Sequence, residues 1–156
     1  MKRSTMFGAL AALAAMTLPL LAADSVPWPW STKMPPDPAL TPLTSVEDVS
    51  VTIDKSDPPT VAISVKASAP TPGYTELQLT PRMGDPEDLI FAFDAKGRAP
   101  QDMSAQVITP VTIDLKFSGA PIDKVGVVEI YAQSNCKAFS VTDNKAAECS
   151  SQSVPQ

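Results

Sequence analysis

Val49-Ser-Val-Thr-Ile-Asp-Lys-Ser-Asp-Pro-Pro-Thr-Val-Ala-Ile-Ser-Val-Lys66 reads twice as a half-buried β-strand, with a turn between the two readings. Val49, Val51 and Ile53 alternate with Ser50, Thr52 and Asp54, and Val61, Ile63 and Val65 alternate with Ala62, Ser64 and Lys66. A period of two sends one apolar face inward. Pro58 and Pro59 cannot continue a ladder, because proline lacks the N–H and fixes φ, so Lys55 to Thr60 joins two antiparallel strands.

The same alternation recurs downstream. Tyr74 to Thr80 is a strand with Leu77 and Leu79 pointing inward. Asp88 to Ala95 is apolar on both faces, which predicts a strand covered on both sides. After Gln106 to Thr109, Pro110 argues against an unbroken central strand, and Val111, Ile113, Leu115 and Phe117 then alternate. Val125 to Ala132 and Ala138 to Val141 complete the set. No stretch from 46 to 149 carries an apolar helical stripe. About seven short strands divided by Gly/Pro turns predict an all-β domain, an antiparallel β-sandwich of immunoglobulin-like architecture.

Outside these strands, Lys2 and Arg3 precede the uncharged run Met6 to Leu21 and the small pair Ala22-Ala23, the pattern of a secretory signal peptide over residues 1–23. Its removal leaves 133 of the 156 residues, enough for one domain with a hydrophobic core. No other run is long and apolar enough to span a bilayer, so no stable membrane anchor is expected after cleavage, and the product is periplasmic or secreted. Residues 24–45 are an extended Pro/Trp-rich arm, 46–149 the β-sandwich and 150–156 a polar tail. On the arm, Trp28 and Trp30 are candidate partner-binding residues, and the competing expectation is that they fold back over a sheet.

Ten basic against 17 acidic residues remain once Lys2 and Arg3 are removed, a charge of −7. Such a balance disfavours nucleic acid, whose phosphates are bound mainly through Lys and Arg. Cys136 and Cys149 are the only cysteines, and an even pair in an exported chain predicts a disulfide. With no Cys-x-x-Cys spacing, a redox site is disfavoured.

The turn and strand signatures from Asp57-Pro58-Pro59 through Pro72-Gly73-Tyr74-Thr75 to Phe91-Ala92-Phe93-Asp94 resemble those of small, functionally uncharacterised exported bacterial proteins of immunoglobulin-like β-sandwich type. The resemblance implies a fold and an exported location, and no activity.

The chain has no histidine, which removes Ser-His-Asp and Cys-His nucleophile activation and His-ligated metal sites together. Its six glycines form no phosphate-binding loop, and no cofactor is expected. Ser134-Asn-Cys-Lys137 fits Ser-x-x-Lys but lacks the companion elements of that chemistry. Asp85, Glu87 and Asp88 crowd three carboxylates into one loop, a candidate metal site for a hard cation such as Ca²⁺ without EF-hand spacing. The sequence thus favours an exported, non-enzymatic binding or accessory protein that contacts an envelope or extracellular protein, including as an inhibitor. A Ca²⁺- or glycan-binding domain and a small carboxylate-based hydrolase are the alternatives.

Overall fold

The hairpin read at Val49 to Lys66 is the middle of the first sheet. In a computed structural model that describes residues 26–27, 37–82, 90–102, 105–118 and 125–150, β3 (Ser45–Asp54) and β4 (Thr60–Ala69) pair antiparallel from Ser45 opposite Ser68 to Asp54 opposite Thr60. A bulge between Val46 and Asp48 sets Glu47 aside. β4 then pairs antiparallel with β7 (Thr109–Ser118), and β1 (Val26–Pro27) lies parallel to the end of β7, giving the order β1-β7-β4-β3. Pro110 falls where β7 pairs only with β4 among the described residues. A residue without an N–H is tolerated there.

The second sheet is built on β6 (Ile90–Arg98). β5 (Thr75–Pro81) pairs antiparallel along one side of it. The other side is shared by β8 (Val127–Tyr131), parallel at Ile90 to Asp94, and β2 (Thr41–Pro42), antiparallel at Lys96 and Gly97. β9 (Cys136–Ser140) and β10 (Lys145–Ala147) extend the sheet beyond β8 by antiparallel pairing.

The described residues are therefore all-β, with no helix, in one four-stranded and one six-stranded sheet. Each strand read from alternation has its counterpart among β3 to β9, and β1, β2 and β10 are added; they span two or three residues each, too short for a period to register. The expectation of purely antiparallel pairing is corrected at β1–β7 and β6–β8. The cause of the second is topological: β7 lies in the other sheet, so the chain leaves β6, crosses over and returns in the same direction.

Both sheets feed one core. Val49, Val51, Val61, Ile63, Val65 and Phe117 of the first sheet belong to the same buried cluster as Phe91, Phe93, Val128 and Ile130 of the second. β6 follows its expected pattern on that side, with Phe91, Phe93 and Ala95 buried, while Ile90, Ala92 and Asp94 are half-buried. In β5, Leu79 is buried as read, and Leu77 packs partly against the core. The chain switches sheets at Leu43-Thr44, between β2 and β3. The Leu43 N–H donates to the Ala95 carbonyl of the second sheet (2.9 Å), and the Thr44 N–H to the Ser68 carbonyl of the first (2.8 Å). Leu40 and Leu43, on the arm side of the expected boundary at residue 45, are buried in this body.

Candidate functional site

β3 is an edge strand, and its position decides what the first sheet offers to solvent. Its apolar residues Val49 and Val51 are buried, while Asp48, Ser50, Thr52 and Asp54 point outward and are exposed. Across the sheet, Ser50, Ser64 and Asp114 form one outward row, and Thr52, Ala62 and Lys116 the next. The Ser64 hydroxyl donates to Asp114 Oδ1 at 2.6 Å. A shallow depression of about 320 Å³ lies over these rows. Beyond β3, no strand flanks the sheet among the described residues. The start of that edge is closed by Asn135, whose Oδ1 accepts from the Val46 N–H at 2.7 Å and whose Nδ2 donates to the Val46 carbonyl at 2.8 Å. From Asp48 to Asp54 no strand pairs with this edge among the described residues, with β9 lying close to β3, and every second residue of an edge strand turns its N–H and C=O outward.

The charged residues of β3 are all acidic, Glu47, Asp48 and Asp54, whereas the inner strands carry Lys66 on β4, opposite Asp48, and both Asp114 and Lys116 on β7. Glu47 accepts from the Ser45 and Ser68 hydroxyls at the bulge. Asp48 and Asp54 form no ion pair among the described residues.

A second polar cluster lies on the outward face of the other sheet. Glu129 sits opposite Ala92 on one side and Ala138 on the other, two small residues that leave room for its carboxylate. It is 1% exposed. The Tyr131 hydroxyl donates to Oε2 at 2.7 Å, the Ser150 N–H to Oε1 at 2.6 Å and the Ser150 hydroxyl to Oε2 at 3.1 Å. Ser150 is held there by its neighbour, because Cys149 is bridged to Cys136 on β9. Above Tyr131 lies the Arg82 guanidinium, 3.6 Å from the ring centre, with its Nε 2.8 Å from Asp94 Oδ1. Burial first, and the Glu129 carboxylate second, push the Tyr131 hydroxyl above its ordinary pKa. As folded, Glu129 ties the C-terminal segment to the sheet and is not open to solvent.

The disulfide expected between Cys136 and Cys149 is present. Ser134, of the Ser-x-x-Lys match, donates its hydroxyl to the Thr44 carbonyl at 2.6 Å, and so serves the sheet-switching corner. Asp85, Glu87 and Asp88, and Trp28 and Trp30, lie outside the described residues. Among the described residues no group of three acidic, Cys or His side chains is placed to hold a metal ion. No described helix is long and apolar enough to cross a membrane. Val107 and Ile108, just before β7, are the large hydrophobic side chains most exposed among the described residues.

The sequence reading missed two features. Glu129 had a signal, a lone carboxylate in the otherwise apolar Val127-Val-Glu-Ile-Tyr131. The open edge of β3 had none, since alternation names a strand without naming its neighbours. Comparison with models of known families found no match, and comparison with curated proteins and with solved structures found none either.

Proposed function

We propose that this protein is an exported, non-enzymatic binding module that engages an envelope or extracellular protein through the open edge of a two-sheet, immunoglobulin-like sandwich. The observation that carries the reading is β3, a ten-residue edge strand that no other strand pairs from Asp48 to Asp54 on its outer side among the described residues. An unpaired edge is a template for strand addition, and natural proteins that keep one have a use for it or a guard on it. The immunoglobulin-like layering is supported by the single core fed from both sheets and by the chain's switch between them at Leu43-Thr44. Export is supported by the leader pattern at residues 1–23 and by the Cys136–Cys149 bridge, a bond that persists in oxidising compartments. Trp28 and Trp30, immediately after β1, supply a second contact on the arm.

The test is capture from native envelope and medium with protein beginning at Asp24 and carrying a photo-crosslinking side chain at Thr52. One dominant, stoichiometric protein partner is the expected outcome. Recovery no greater than from protein without the crosslinker overturns the reading. Trp28→Ala with Trp30→Ala in the same capture measures what the arm adds.

A further inference from the structure

We infer that the β3 edge is built to receive an extended peptide segment carrying two basic residues six positions apart, laid antiparallel against Asp48 to Asp54; this rests on the binding-module reading above. Three observations converge on that occupant. First, the edge is long and, among the described residues, unpaired by any strand on its outer side: between Asp48 and Asp54 lie Val49, Ser50, Val51, Thr52 and Ile53, with no proline, glycine or charge to interrupt a ladder. Second, the charges that β3 itself carries are all acidic, with Lys66 across from Asp48 on β4 and Lys55 following Asp54 in the loop, in a chain of net charge −5. Asp48 and Asp54 share the outward face and are about 20 Å apart along the strand, the distance that six residues of a partner strand also span. Third, the opposite side of this sheet already accepts an extended piece of the chain, since Val26 and Pro27 lie along Phe117 and Ser118.

A second copy of the chain is a poor occupant. The antiparallel register that fully overlays Val49 to Ile53 of two molecules sets Asp48 of each opposite Asp54 of the other. Like charges directly opposite repel, whereas a basic residue at each end attracts. Sliding the register by two residues in one direction runs into Val46, whose N–H and C=O are taken by Asn135, and sliding it the other way sets Asp54 opposite Ser50 and carries Asp48 past the end of the strand, which shortens the overlay. The acids therefore disfavour the full-length self-paired register and favour a basic strand. In that strand, residues opposite Val49, Val51 and Ile53 extend the apolar face, and those opposite Ser50 and Thr52 are small and polar.

The probe is a capped seven-residue peptide, Lys-Val-Thr-Val-Thr-Val-Lys, with a counterpart ending in glutamates. Binding is read by fluorescence anisotropy and by amide NMR shifts. The expected result is saturable binding of the lysine peptide that perturbs amides in residues 48–54 and weakens with salt. Methylating either alternate set of its backbone nitrogens should separate the set facing β3, whose loss abolishes binding, from the set facing away. Asp48→Lys with Asp54→Lys, checked for an unchanged melting temperature, should weaken the lysine peptide about tenfold and favour the glutamate peptide instead. The inference is overturned by equal affinity of the two peptides, by shifts elsewhere on the molecule, or by no saturation near 1 mM, on the order of the weakest specific contacts. A wild-type dimer in sedimentation that the double lysine variant dissolves would also overturn it, in favour of a second copy. A native partner captured equally well by wild type and by the double lysine variant would remove this inference and leave the module reading standing, whereas capture of none would remove the module reading itself.

Discussion

Glu129 is where a single residue carries the most local structure. A carboxylate removed from water persists only if its oxygens are occupied, and here Tyr131 and Ser150 occupy them. Glu129→Gln keeps the shape but replaces one acceptor oxygen with a donor that faces other donors. It should lower stability by roughly 1–3 kcal/mol in urea titrations, and a loss under half a kilocalorie would mean that the segment at Ser150 does not depend on this carboxylate. Tyr131 gives a pH prediction at the same place. Its folded pKa is raised, first by burial and then by Glu129, so the folded protein holds that proton more tightly than the unfolded chain does. The associated stability is complete below the unfolded value of about 10 and is lost as pH rises above it through the folded pKa. Melting temperatures from pH 9 upward should fall less steeply in Tyr131→Phe than in the wild type; parallel curves would refute the assignment.

The C-terminal segment shows how an element too short to hold itself is held by others. β10 is three residues long and pairs, among the described residues, with β9 alone, and the residues after it are secured by the Cys136–Cys149 bridge and by Glu129. A bridge closing a loop between cysteines 13 positions apart restricts the unfolded chain and contributes about 3 kcal/mol. Cys136→Ser with Cys149→Ser should cost about that much. It should also accelerate amide exchange at Ser150 while leaving the exchange of Val61 to Val65 in step with the new global stability. Slow exchange at Ser150 in the variant would show that Glu129 holds the segment unaided. β5 illustrates a different accommodation. Its register slips between Thr75 and Gln78, Glu76 takes a φ of 48°, and its carboxylate meets Arg98 at 2.8 Å. That hydrogen bond holds the Glu76 carboxyl below its ordinary range. Opposite this slip, a Cβ on Gly97 would stand 2.8 Å from Leu77 Cδ2 and 3.0 Å from Tyr74 Cδ1, so a larger residue there requires those side chains to shift.

At the scale of the whole molecule, the proposed use of the β3 edge requires that two copies of the chain not pair along it. Asp48→Thr with Asp54→Thr removes the guarding charges and leaves the strand otherwise intact. Sedimentation equilibrium should then show association at concentrations where the wild type does not associate, and identical behaviour would deny the two aspartates that role. The strands and their inward faces were legible in the sequence because alternation is a local property: Val49, Val51, Val61, Ile63 and Val65 carry their own period and are buried as read. The disulfide was legible because only one pairing of two cysteines exists within the chain. Which strand meets which was not. The parallel pairing of β6 with β8 depends on β7 joining the other sheet, a choice made by burial of residues far apart in the chain. The burial of Glu129 depends on a serine 21 positions away. The open edge follows from the absence of a neighbour for β3 among the described residues, which no residue of β3 encodes. By itself, then, the sequence determined the longer strands, β3 to β9, and the apolar faces of those that alternate cleanly, since those follow from adjacent residues. Only the tertiary structure decided sheet order, the buried carboxylate and which strand ends the first sheet, because each is a relation between segments that only folding brings together.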